Sequence, residues 1–142
     1  MVYYSSMDTA HIKKAIAYWR ETADHDYDIM LYLYKGKKYS DALFYGHIVL
    51  EKILKAHVVK TTHEQPLRSH NLVRLHEIAD LNFSPVDIDT LSLINEFNMR
   101  ARYPEDNLEF YKKCTASYTK KYFATIIRLY KKLCQKLEPN QL

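Results

Sequence analysis

Two glycines in 142 residues constrain this chain more than any other feature. Glycine supplies the left-handed backbone that tight turns and phosphate-cradling loops require. A many-stranded sheet needs such a turn at most strand reversals, and ordinary chains carry roughly 7% glycine and 5% proline. With 2 Gly and 4 Pro, a sandwich, a barrel, a GxGxxG loop and a P-loop are all excluded. Helices remain. The chain is 47% hydrophobic and 27% charged, enough apolar surface for a core. Its length suits one domain, since cores divide only beyond about 250–300 residues.

Apolar spacing then places the helices. Ile12, Ile16, Trp19, Ala23, Tyr27, Met30 and Tyr34 alternate in steps of three and four, which predicts one helix from Asp8 to about Lys35. Gly36 is expected to end it and turn the chain. Ser40 or Asp41 is expected to cap a second helix running to about Thr62. Ala42, Leu43, Phe44, Ile48, Val49, Leu50, Ile53, Leu54 and Val58 make that helix apolar on most sides, as in the middle of a bundle. A loop through Pro66 precedes a short helix from about Asn71 to Leu81. Ser84-Pro85-Val86-Asp87 is a helix start, and Tyr103, before Pro104, marks its end. A last helix is predicted from Asn107 to Leu137, with Tyr111, Tyr118, Tyr122, Ile126, Leu129 and Leu133 on one face. The fold class is all-α: an antiparallel up-and-down bundle of four long helices plus one short helix. Residues 1–7 read as an N-terminal extension, 8–138 as the bundle and 139–142 as a tail.

The formal charge of +4 is too small to imply a nucleic-acid partner by itself. Its distribution says more. Seven acids lie between Asp80 and Glu109, whereas Phe110 to Leu137 holds no acid and eight lysines and arginines. Such a helix either meets phosphate or pairs with the acidic segment before it. Cys114 and Cys134 fall about 30 Å apart on the predicted last helix, too far for a disulfide, so free thiols and a reducing cytoplasm are expected. The first residues lack the pattern of a signal peptide, and the uncharged run Ala42 to Leu50 is far shorter than a bilayer needs.

Seven histidines invite a metal, yet the sequence holds neither Glu-x-x-His nor HExxH, and no two histidines stand four apart. No metal or cofactor is implied. The remaining polar constellation is a stripe at His47, Glu51 and Lys55 on the second helix, with Lys52 beside it, together with Arg100, Arg102 and Tyr103 at the end of the fourth. Polar groups on an apolar helix cost free energy unless paired. Glu51 either pairs with Lys55 or with an arginine across the bundle, fixing register alone, or the cations left over line a groove for a phosphate.

These residues carry a resemblance. The strings Trp19…Ala23-Asp24…Asp28, Lys37-Lys38-Tyr39-Ser40-Asp41-Ala42-Leu43-Phe44 and His47…Leu50-Glu51-Lys52-Ile53-Leu54-Lys55-Ala56 resemble the HEPN family, as do His70-x-Leu72 and Ala101-Arg102-Tyr103-Pro104. The resemblance implies a helical bundle, commonly a homodimer with a groove at its interface. Many HEPN proteins are metal-independent ribonucleases of toxin–antitoxin and defence systems. Others are non-catalytic RNA- or nucleotide-binding modules, often encoded beside a minimal nucleotidyltransferase. The nucleases carry Arg, four to six residues, then His. Here Arg102 is followed by Asn107 in that place, and no histidine comes after His76. An amide transfers no proton near neutral pH, whereas imidazole does. The expectation is therefore a cytoplasmic, non-catalytic homodimer that binds nucleotide or RNA phosphate, or a nucleotidyltransferase partner. Arg100, Arg102, Lys52 and Lys55 would supply charge and Tyr103 a stacking surface, with His47, Glu51 and Asn107 as orienting groups. The alternatives are a ribonuclease with a relocated histidine, His47 or His70, and a pure dimerisation module.

Overall fold

Most helices of this chain begin where a side-chain oxygen can accept an orphan N–H. The computed structural model describes residues 7–138. Asp8 caps α1 (Thr9–Lys35), Asn71 caps α3 (Leu72–Ala79), Ser84 caps α4 (Pro85–Arg102) and Thr115 caps α6 (Ala116–Leu137). The two others, α2 (Tyr39–Thr62) and α5 (Pro104–Lys113), have no side-chain cap. Ser40 and Asp41, expected to cap α2, lie inside its first turn instead. The tight exit from α1, with Lys38 N–H donating to the Leu33 carbonyl at 2.8 Å, delivers the chain to the helix one residue earlier. The extension and the tail lie outside the described residues, apart from Met7, whose N–H donates to the His63 carbonyl at 3.1 Å.

Gly36 ends α1 as expected, but no glycine among the described residues takes left-handed backbone. Gly36 has φ −81°, and the left-handed residue after α1 is Lys37 at φ 62°. His63, Asp80 and Asn82 adopt left-handed backbone after α2 and α3. Asp, Asn and His are enriched in that region, while for Lys37 it costs about 1 kcal/mol or more.

The predicted last helix is two helices. It starts at Pro104 rather than Asn107 and breaks at Cys114-Thr115, where Thr115 Oγ1 accepts from Tyr118 N–H at 3.3 Å. A β-branched hydroxyl residue competes well as a cap, and here it wins over helix continuation. The break rotates α5 relative to α6. Tyr111, expected on the buried face, is 66% exposed, and Phe110 is buried in its place. Among the described residues the bundle thus has four long helices and two short ones.

Cross-helix pairs define the directions. Lys52–Asp26 and Lys55–Trp19 make α1 and α2 antiparallel, and Phe97–Tyr122 with Asp87–Arg128 does the same for α4 and α6. His57–Leu133 and Lys60–Lys136 make α2 and α6 parallel. The central helix α2 buries Leu43, Val49, Leu50, Ile53, Leu54 and Val58 among its neighbours. Gly46 leaves room for Ile126 of α6: a Cβ there would lie 2.6 Å from Ile126 Cδ1. Part of the acid-free basic segment pairs with the acidic one, since Arg128 and Lys132 of α6 reach the buried Asp87 of α4 at 2.8 and 3.5 Å.

Candidate functional site

The stripe on α2 faces two neighbours. On the α1 side, Lys52 Nζ lies 2.6 Å from Asp26 Oδ2, and Asp26 is buried. Lys55 Nζ lies 3.0 Å from Glu51 Oε2 and 5.2 Å from the Trp19 ring, with its side chain 9% exposed. Both lysines expected to meet phosphate are therefore paired with carboxylates, Lys55 buried and Lys52 half-buried. Asp26 escaped the sequence reading; an acid within the apolar stripe of α1, between Ala23 and Met30, is the signal that could have found it.

On the α4 side a chain of hydrogen bonds runs outward. His47 is fully buried, and its Nε2 lies 2.8 Å from the His70 carbonyl. A carbonyl only accepts, so Nε2 carries the hydrogen and Nδ1 offers a lone pair. That lone pair accepts from Asn98 Nδ2 at 3.3 Å, and Asn98 Oδ1 accepts from Arg102 Nη1 at 3.3 Å. A guanidinium only donates, which fixes the amide orientation of Asn98 and agrees with this tautomer. Burial pushes the His47 imidazole below its ordinary value, the neighbouring Glu51 opposing. It is a neutral link with both nitrogens committed.

Glu51 ties the network to the loop before α3. Its Oε2 holds Lys55, and its Oε1 accepts from His70 Nδ1 at 2.8 Å. The loop is pinned from α4 as well: Asn95 Oδ1 accepts from Leu72 N–H at 2.8 Å, and Asn95 Nδ2 donates to Asn71 Oδ1 at 3.0 Å. Asn95 and Asn98 escaped the sequence reading. Asn98 stands four residues before Arg102, the spacing of one helix face, which is the signal that could have found it.

The other expected residues separate. Arg100 lies 5.6 Å from the Phe110 ring, packed towards α5, while Arg102 joins the His47 network. Two residues apart on a helix point in nearly opposite directions, so one phosphate does not meet both. Tyr103 ends α4 and is 53% exposed beside Arg102. Asn107 is exposed on α5 and lines a shallow recess of about 270 Å³ with Ser40, Asp41 and Ala101. Arg102 makes no ion pair among the described residues. Burial pushes the thiols of Cys114 and Cys134 each up to about 11, which disfavours the thiolate. No group of three or more metal-ligating side chains is present among the described residues, and none of the described helices is long and apolar enough to cross a membrane.

Fold and site define a small helical-bundle domain whose central helix carries a buried polar network ending at an exposed arginine. Residues 16–139 match the HEPN domain family, and the chain belongs to that family. Comparison with the curated proteins and with the solved structures gives no match.

Proposed function

We propose that this HEPN domain binds the phosphate of a nucleotide or an RNA at Arg102, with Tyr103 beside it as a surface for a base or ribose. One observation carries the reading. Of the four cations the sequence nominates, Lys52 and Lys55 are paired with carboxylates and Arg100 is stacked on Phe110. Arg102 meets no carboxylate among the described residues and is held by a neutral partner, Asn98, at the exposed end of the buried network, whereas Arg100, also without a carboxylate, packs on the Phe110 ring towards α5. A guanidinium fixed at one nitrogen still has donors to offer a phosphate bidentately. Asn107 stands where the family's ribonucleases have histidine, which supports binding rather than turnover through that position. The free thiols support a reducing cytoplasm, and the family resemblance supports a minimal nucleotidyltransferase partner within a toxin–antitoxin or defence system.

Replacing Arg102 by Ala should weaken binding of single-stranded RNA, or of ATP, about 10- to 100-fold, the worth of a charge-assisted contact of roughly 1.5–3 kcal/mol. Helical circular dichroism should stay the same. Gel mobility and calorimetric titration read the two ligands, and equal affinity in the variant removes Arg102 from the site.

A second observation favours a homodimer. Met99 near the end of α4, and Leu108 and Tyr111 on α5, are each more than half exposed. Adjacent large apolar side chains left in water mark a surface that another chain covers. Sedimentation velocity should report a dimer at micromolar concentration, and the double variant Leu108→Glu, Tyr111→Glu should sediment as a 16.9 kDa monomer. A wild-type monomer refutes the assignment.

A further inference from the structure

Helices α1 and α6 run antiparallel and meet through long side chains in one register. Arg20 Nη2 lies 3.2 Å from Glu138 Oε1, Tyr27 stacks on Tyr130 with ring centroids 4.5 Å apart, and Tyr34 stacks on Phe123 at 4.0 Å. Between the first two bridges the same register sets Asp24 opposite Cys134. Both side chains are short, so the seam opens there into a cavity of about 530 Å³, whose lining includes Asp24, Tyr27, Tyr130, Lys131, Cys134 and Glu138. Small-molecule sites span roughly 300–1,000 Å³, and this one is in that range. None of its residues belongs to the network that ends at Arg102.

The lining sets what the cavity can hold. Tyr130 is buried, and its hydroxyl donates to Asp24 Oδ1, which orients the carboxylate and leaves the lone pairs of Oδ2 for another donor. Asp24 makes no ion pair among the described residues, and the cation one turn before it, Arg20, is taken by Glu138. Desolvation pushes the Asp24 carboxyl up, Asp28 and Glu21 of the same helix adding to it and Arg20 opposing. A cation beside Asp24 offsets both effects. Cys134 brings no charge, since burial pushes its thiol up to about 11. The two tyrosine rings supply apolar surface and a π system that attracts the positive end of a ligand. Lys131, exposed at the rim, disfavours a second positive charge.

We propose that the cavity between α1 and α6 binds a small protonated monoamine with an apolar body, its ammonium on Asp24 and its body against Tyr27 and Tyr130. The ammonium donates to Asp24 Oδ2 while Tyr130 keeps Oδ1. A neutral analogue loses the charge-assisted contact, an anionic one meets Asp24 as a like charge, and a polyamine meets Lys131 as one. This site is separate from the phosphate site proposed at Arg102. The two differ in sign, in helices and in partner groups, so neither reading depends on the other.

The full chain is titrated at neutral pH with phenethylamine, phenethyl alcohol, hydrocinnamate and spermidine, and backbone amide shifts are followed by NMR. Phenethylamine should move the amides of Asp24, Tyr27 and Cys134 saturably. It should bind at least about 10-fold tighter than the alcohol, the lower share of a charge-assisted hydrogen bond, with hydrocinnamate weakest. Asp24→Asn keeps an acceptor for the Tyr130 hydroxyl and should bring the amine down to the affinity of the alcohol. Cys134→Leu fills the gap and should abolish binding of both, with helical circular dichroism unchanged; if that variant does not fold, Asp24→Asn alone decides. Arg102→Ala should bind the amine as wild type does. Shifts that stay linear into the millimolar range overturn the proposal, as does equal affinity for amine and alcohol. An amine affinity that Asp24→Asn leaves unchanged overturns it too, and tighter binding of spermidine than of phenethylamine overturns the assignment to a monoamine.

Discussion

Glu51→Ala is expected to lower unfolding free energy by about 3–5 kcal/mol, the usual cost of stranding one partner of a buried ion pair. Lys55 has Glu51 as its carboxylate partner, and its side chain is 9% exposed. The Trp19 ring at 5.2 Å offers only a weaker attraction to the ammonium. Removing the carboxylate also frees the His70 ring and loosens the loop before α3. In a chain of this size the loss corresponds to a drop in Tm of roughly 10–15 °C. The double variant Glu51→Leu, Lys55→Met should recover most of it, because apolar groups of similar volume need no counter-charge. Urea unfolding of wild type, single and double variants measures this directly. A single variant within about 1 kcal/mol of wild type would show that the pair is solvated, against the burial on which the argument rests.

Stability is expected to fall as the pH drops below about 6.5, the ordinary histidine value. Burial pushes the imidazoles of His47, His57 and His76 down, desolvation being the first cause in each. All three are at most 5% exposed. His57 donates from Nε2 to the Leu133 carbonyl at 2.8 Å, and His76 Nε2 accepts from Phe83 N–H at 2.9 Å. The sign follows from proton counting. At pH 7.5 these rings are neutral in both states. Below about 6.5 the unfolded chain takes up protons that the folded chain refuses, so acid favours unfolding. Each ring adds up to about 1.4 kcal/mol per pH unit until its folded form also titrates. Asp87 acts in a lower window. Its hydrogen bond with Arg128 holds the carboxyl below its ordinary 3.8, so its contribution is full above that value and fades beneath it. Urea midpoints at pH 7.5, 6.5 and 5.5 should therefore decline steeply. His57→Gln, whose amide can still donate to Leu133, should decline less. A midpoint flat across that range contradicts the burial of these rings.

The proposed binding and the proposed association rest on different residues, Arg102 for the first and Leu108 with Tyr111 for the second, so loss of one readout with the other intact identifies which assignment is wrong.

Much of the fold was legible because helix formation is written locally. Asp8, Asn71 and Ser84 stand where caps are needed, and Tyr103-Pro104 ends α4 where a proline forbids continuation. The breadth of the apolar set on α2 already placed that helix at the centre. The break at Thr115 was hidden because Tyr111, Tyr118 and Tyr122 keep a helical spacing that runs through a cap residue as if it were interior. The site was legible only as an inventory. Lys52, Lys55, Arg100 and Arg102 look alike in sequence, and nothing local tells which will find a carboxylate.

The sequence by itself determined α1 to α4, their order and the family, since caps, prolines and apolar periods act within a few residues of where they stand, while the break between α5 and α6 escaped it. Only the tertiary structure decided which charge is left over. His47 meets His70 across 23 residues and Asn98 across 51, and Lys52 is silenced by an acid on a different helix. Such pairings are set by how helices pack, because electrostatic and hydrogen-bond energies depend on distance in space and burial, not on separation along the chain.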